Sequence, residues 1–112
     1  MSPHDRVRLR HMVDAIGSAL RFVAGRERSA LDEDEMLLFA LVRAVEIVGE
    51  AATRVSAESR AEVDIPWSAV VGMRNRLVHA YFDVDRDILW STVMQSLLPL
   101  QLELERVLEH DN

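Results

Sequence analysis

Asp32-Glu33-Asp34-Glu35-Met36-Leu37-Leu38-Phe39-Ala40-Leu41-Val42-Arg43-Ala44-Val45-Glu46-Ile47-Val48-Gly49-Glu50-Ala51-Ala52-Thr53-Arg54-Val55 is the stretch that decides the fold. Four consecutive acids open it, where the positive end of a helix dipole favours them. Beyond them the charged positions are Arg43, Glu46, Glu50 and Arg54, at steps of three, four and four, and they make one narrow stripe. The rest of the circumference is largely apolar, so a helix over roughly 32–55 is central in a bundle or shared with a second subunit. Two readings of the stripe stay open. It is a solvated strip of i,i+4 ion pairs, or it lines a cleft or partner surface. Gly49 in mid-helix costs about 1 kcal/mol relative to Ala, which points to a close helix contact there.

Helical periodicity continues on both sides. Leu9, Met12, Val13, Ile16, Leu20 and Val23 recur at three and four and define a first helix that stops near Gly25. Residues 26–31 form a polar connection, and 56–63 a connecting turn or helical piece. Asp64-Ile65-Pro66-Trp67 starts a further helix, with Asp64 or Ile65 as N-cap and Pro66 in the tolerated first turn. A final helix begins near Asp85 and runs to about Leu108. Pro99 removes its bond to the Gln95 carbonyl and is expected to kink it. Leu89, Val93, Leu97, Leu100 and Leu104 form one apolar stripe, with Trp90, Met94, Leu98 and Leu102 beside it. Two stripes exceed what one small bundle needs, so a helix-mediated homodimer is expected. No alternating strand pattern and no Asn-Gly or Asp-Gly hairpin turn is present. The expectation is an all-α, up-and-down bundle of four to five helices, homodimeric, in one domain over 1–112.

The composition agrees. Of 112 residues, 49% are apolar and 29% charged, which is globular rather than disordered. The absence of cysteine excludes disulfides, thiol catalysis and thiolate zinc sites. Residues 1–6 show no apolar leader segment, and the longest uncharged run, Ile88 to Leu102, is too short and too polar to span a bilayer. A cytoplasmic protein is expected. All 13 cations are Arg, against 19 acids, for a net charge of -6, so any RNA contact must come from a local Arg cluster.

The candidate chemistry lies in Gly72-Met73-Arg74-Asn75-Arg76-Leu77-Val78-His79-Ala80-Tyr81-Phe82. On a helix from Pro66, the residues Trp67, Val70, Val71, Arg74, Leu77, Val78 and Tyr81 share one face, so Arg74 interrupts an apolar stripe. A charge there needs a partner: a carboxylate such as Glu46 or Glu50, a phosphate, or a second subunit. His79 falls about 140° round such a helix from Arg74. Asn75 would share the face of His79. Other constellations fail. Asp83, Asp85 and Asp87 imitate the start of a calcium loop, but Ile88 stands where Gly is required and Met94 where the bidentate Glu belongs. His4, His11, His79 and His110 lack metal-ligand spacing, and no Gly-rich phosphate loop or nucleophile elbow occurs. No metal and no cofactor are expected. Arg6, Arg8 and Arg10 with His11 read as a solvated helix face rather than a basic rim.

Arg74-Asn75-x-x-x-His79-x-Tyr81 resembles the R-x4-H-x-Tyr motif of the HEPN superfamily, in its HepT-like toxin branch. Ala44 to Ala51 resembles that family's central-helix signature, and Ile65-Pro66-Trp67, Gly72 to Asn75, and Tyr81-Phe82-x-Val84-Asp85 through Trp90 resemble its flanking pattern. Ala80 departs from the Gly of many relatives. The resemblance implies a HEPN-like dimeric bundle with two motifs facing one cleft, and a metal-independent endoribonuclease toxin. It assigns Arg74 to the scissile phosphate, His79 to general acid–base chemistry and Asn75 to orientation, with Glu46, Glu50 and Arg76 supporting the cleft. It also implies a minimal nucleotidyltransferase antitoxin that transfers AMP from ATP to Tyr81 and so silences the toxin. The alternative is a catalytically silent helical dimer module that binds such a nucleotidyltransferase.

Overall fold

The computed structural model describes residues 1–80 and 83–110, with the side chains of His79 and Ala80 excepted. Three long elements carry the core. Helix α1 (Pro3–Val23) opens on Ser2, whose hydroxyl accepts from the Asp5 N–H at 3.1 Å, with Pro3 in the first turn where its missing N–H costs nothing. It ends as Gly25 turns the chain at φ 73°, a conformation that favours glycine. A single helical turn, α2 (Ala30–Glu33), then leads into α3 (Glu35–Thr53). The chain passes through the turn α4 (Ala57–Arg60), the short helices α5 (Trp67–Val71) and α6 (Met73–Leu77), and the antiparallel pair β1 (Val78–Ala80) and β2 (Asp83–Val84). The last limb is α7 (Arg86–Ser91), a π-helical turn at Thr92–Ser96, and α8 (Leu97–His110).

Helix α1 lies between α3 and α8, and α3 carries α5 and α6 on its other flank. One continuous core results, with Leu9, Met12 and Ile16 from α1, Leu41, Val45 and Val48 from α3, Leu77 from α6, and Leu89, Val93, Leu97 and Leu104 from the last limb. The first of the two stripes of that limb is thus buried along its whole length. In the second, Trp90 is half-buried, while Met94, Leu98 and Leu102 are 51%, 48% and 59% exposed. The molecule measures 44 × 29 × 18 Å, and its short axis accommodates about two layers of helices. Among the described residues, no helix is long and apolar enough to cross a membrane.

Several expectations need correction. The central helix starts at Glu35 rather than Asp32, because Asp34 leaves the helical region (φ -123°, ψ 95°) and its carboxylate caps the Leu37 N–H at 3.1 Å. Ala30 and Leu31, read as part of a polar connection, are buried. The N-cap of α5 is Pro66 rather than Asp64 or Ile65; its carbonyl receives the Val70 N–H at 2.9 Å, while the Asp64 N–H goes to Glu103. The helix expected from Pro66 through Tyr81 breaks at Gly72 and stops at Leu77. Val78 is extended (φ -115°, ψ 106°), and the Leu77 carbonyl receives the Asp85 N–H at 2.7 Å. A small β-pair therefore stands in an otherwise helical chain. The kink expected at Pro99 takes the form of the π-helical turn just before it, which widens the helix where the ring must clear the preceding carbonyls.

Candidate active site

At Gly49, α3 faces the backbone of the motif-bearing segment. A Cβ at this position would stand 3.4 Å from the Val71 carbonyl oxygen and 3.5 Å from that of Val70, so α3 and α5 approach almost to backbone contact. Trp67 fixes the other end of α5. Its Nε1–H is shared between the carbonyls of Arg60 and Val63, both at 3.1 Å, and the Arg60 guanidinium stacks 5.3 Å from its ring centroid. Arg60 in turn donates to the Ala52 carbonyl at the end of α3 at 2.9 Å. The sequence blocks around Gly49 and Trp67 therefore do the same work: they dock α5 and α6 against α3.

That docking brings Arg74 to the polar stripe of α3. Arg74 Nε donates to Glu46 Oε2 at 3.1 Å, the carboxylate partner that a charge on an apolar stripe requires. Arg43 Nη1 donates to the other oxygen, Glu46 Oε1, at 3.2 Å and lies 3.5 Å from Glu50 Oε1. The stripe pairs Arg43 with Glu46 at i,i+3 and with Glu50 rather than at i,i+4, Arg54 joins no ion pair among the described residues, and Glu46 and Glu50 line a groove. The groove, about 310 Å³, is lined by Glu46, Gly49, Glu50, Thr53, Val71, Arg74 and Asn75. Among the described residues the two Nη groups of Arg74 make no hydrogen bond, and the side chain is 42% exposed. A guanidinium held at Nε with its outer fork open is suited to a phosphate.

Arg76 is exposed and is not among the groove-lining residues. The backbone of His79 lies in β1, so Asn75 and His79 do not share a helix face as expected; the extended Val78 breaks that register. The His79 side chain and Tyr81 lie outside the described residues. Asp83, Asp85 and Asp87 diverge. Asp85 caps α7 by accepting from the Ile88 N–H at 3.0 Å, and Asp87 accepts from Arg28 Nε at 2.7 Å. Among the described residues no three His, Asp or Glu side chains stand together as a metal site.

The family described as ribonuclease HepT-like matches residues 12–107. The chain belongs to the HepT-like ribonuclease family. A candidate RNase of Caldanaerobacter subterraneus subsp. tengcongensis is 30% identical over 92% of this chain and 93% of its own length. A probable ribonuclease HepT of Thermococcus cleftensis is 39% identical over 66% of this chain and 68% of its own. A candidate RNase of Methanocaldococcus jannaschii is 29% identical over 86% and 89%. No solved structure matches the chain significantly. Membership makes this HepT-like protein an endoribonuclease.

Sequence reasoning missed Asp5. It is 6% exposed at the start of α1 and accepts from the Ser56 N–H at 3.1 Å, the Ser56 hydroxyl at 2.7 Å and the Ser59 hydroxyl. These bonds, led by that of Ser59, lower its pKa to about 2. The cluster tethers α1 to the turn that follows α3. An acid in a helix's first turn was the signal available, but it is common there and the serines are 51 and 54 residues away.

Proposed function

We propose that this HepT-like ribonuclease is the toxin of a toxin–antitoxin pair, acting in the cytoplasm and cutting RNA without a metal ion. The observation that carries the reading is Arg74, held at Nε by Glu46 at the mouth of the groove with its fork open. Arg74 binds the scissile phosphate and stabilises the charge that grows on it. His79 takes the proton of the ribose 2'-hydroxyl as its oxygen attacks phosphorus. The bond to the 5'-oxygen breaks, the imidazolium returns the proton to that oxygen, and the products are a 2',3'-cyclic phosphate and a 5'-hydroxyl. Asn75, beside Arg74 on the groove wall, orients the phosphate.

A homodimer brings two such motifs to one cleft, with Arg76 at its edge. A nucleotidyltransferase antitoxin transfers AMP from ATP to the Tyr81 hydroxyl and releases pyrophosphate. The added phosphate repels RNA from the same cleft, as a phosphorylated side chain would. Family membership supports an RNase toxin, and the chain's net charge of -6 supports contact through few cations rather than general RNA affinity.

The test is RNA cleavage in EDTA by protein whose intact mass shows no added AMP, with His79→Ala and Arg74→Ala prepared in parallel. Cleavage by the parent, cyclic-phosphate ends, and at least a hundredfold loss in each folded variant are expected. Equal cleavage by His79→Ala would overturn the site assignment, and dependence on an added divalent ion would overturn the metal-free mechanism.

A further inference from the structure

Glu46 divides its carboxylate between two guanidiniums. Oε2 accepts from Arg74 Nε at 3.1 Å and Oε1 from Arg43 Nη1 at 3.2 Å. Left to themselves, an arginine and a carboxylate favour two parallel N–H···O bonds. Here Glu46 meets Arg74 through one oxygen only, and its second oxygen is held by Arg43. Were that oxygen released, the carboxylate could close on Nε and the adjacent Nη of Arg74 together. One arm of the fork would then be lost to an incoming phosphate.

Arg43 is placed to prevent this. It stands one helical turn before Glu46 on α3, and its Nη1 also lies 3.5 Å from Glu50 Oε1, so a second carboxylate steadies it from the next turn. We propose that Arg43 is a positioning residue of the ribonuclease: by holding Glu46 Oε1 it keeps Glu46 monodentate on Arg74 and leaves both Nη groups of Arg74 open for RNA. The proposal rests on Arg74 as the phosphate-binding group. Arg43 touches neither RNA nor the reacting atoms in this role; it acts through Glu46.

The experiment is a double-mutant cycle on kcat/KM for one short RNA, using the full chain free of AMP, with melting temperatures measured alongside. Arg43→Ala is expected to lower kcat/KM roughly tenfold, the worth of one charge-assisted hydrogen bond. Binding of an uncleavable RNA carrying 2'-deoxyribose at the cut site falls in parallel. In the Glu46→Gln background the same change costs under about twofold, because a neutral amide does not compete for the fork as a carboxylate does. Arg43→Lys restores most of the activity, since an ammonium also holds Oε1. Melting temperatures stay close to the parent, as expected for a half-exposed ion pair. A loss of equal size in both backgrounds would make Arg43 a direct RNA contact and overturn the proposal, as would undiminished activity of Arg43→Ala. Undiminished activity of Arg74→Ala would instead overturn the reading of Arg74, and the role of Arg43 with it.

Discussion

Asp5 shows how much a single side chain can hold. Its carboxylate gathers the Ser56 N–H and the hydroxyls of Ser56 and Ser59, and Ser56 also caps α4 by accepting from the Ser59 N–H at 3.2 Å. Asp5→Ala strands those donors, and a loss of about 2–3 kcal/mol in urea unfolding is expected. The same bonds give a pH signature. The folded pKa of about 2 lies below the usual 3.8, so the stabilisation is complete above the upper value and drains away as pH falls from about 4 through about 2. Unfolding of the parent should therefore steepen in that window, and Asp5→Ala should flatten the acid limb. An unchanged limb would show that other carboxylates dominate it. Gly49 poses a question of sign. A Cβ 3.4 Å from the nearest carbonyl oxygen is in ordinary contact, so Gly49→Ala keeps the α3–α5 approach and gains about 0.5–1 kcal/mol of helix propensity. Gly49→Val adds a β-branched side chain beside the Val70 and Val71 carbonyls and is expected to destabilise and to pull Glu46 from Arg74, read as lost RNA cleavage. Equal stability of the two variants would mean the helices part freely.

Among the elements, the final limb shows where local rules stop. Its buried stripe was legible because Leu89, Val93, Leu97, Leu100 and Leu104 follow helical spacing, but the form of the Pro99 distortion was not, since a π turn and a sharp kink both relieve the same clash. Pro99→Ala removes the ring and offers the missing N–H. A gain of about 1 kcal/mol in urea unfolding is expected, well short of the ~3 kcal/mol of an unrelieved helix proline, because the π turn already relieves part of the strain. A loss would show that the wide turn is imposed by the anchors of α7, the Asp85 cap and the Arg28–Asp87 pair. The same limit explains the site. That Arg74 would need a partner, with Glu46 or Glu50 among the candidates, followed from the cost of an unpaired charge on an apolar stripe. That α6 would end at Leu77 did not follow, because the deciding bond comes from Asp85, eight residues on, and the periodicity of 66–78 is satisfied either way. The double engagement of Glu46 by Arg43 and Arg74 was equally hidden, since spacing on α3 is silent about what α6 presents.

At the scale of the whole molecule, the slab only 18 Å thick leaves an apolar row of its last limb uncovered. Met94, Leu98 and Leu102 stand at successive helical turns, all exposed, on the limb whose opposite face is entirely core. Single exposed apolar residues need no explanation, but a row along one helix has the form of a buried helix interface. With a net charge of -6 on each copy, long-range electrostatics oppose self-association, so contact between copies must draw on apolar area. Leu98→Glu together with Leu102→Glu places two carboxylates on that row. Because both side chains are exposed in one chain, the cost to the fold is expected to be small, within about 0.5 kcal/mol per site. If the row is where two copies meet, light scattering should show the parent as a dimer and the double variant as a monomer with an unchanged helical spectrum. RNA cleavage should fall with dimer content, since a cleft shared by two motifs is lost when the copies separate. A variant that remains dimeric would move the interface to another face. One that becomes monomeric yet cleaves at the parental rate would show that a single groove, with its one Arg74, suffices for catalysis.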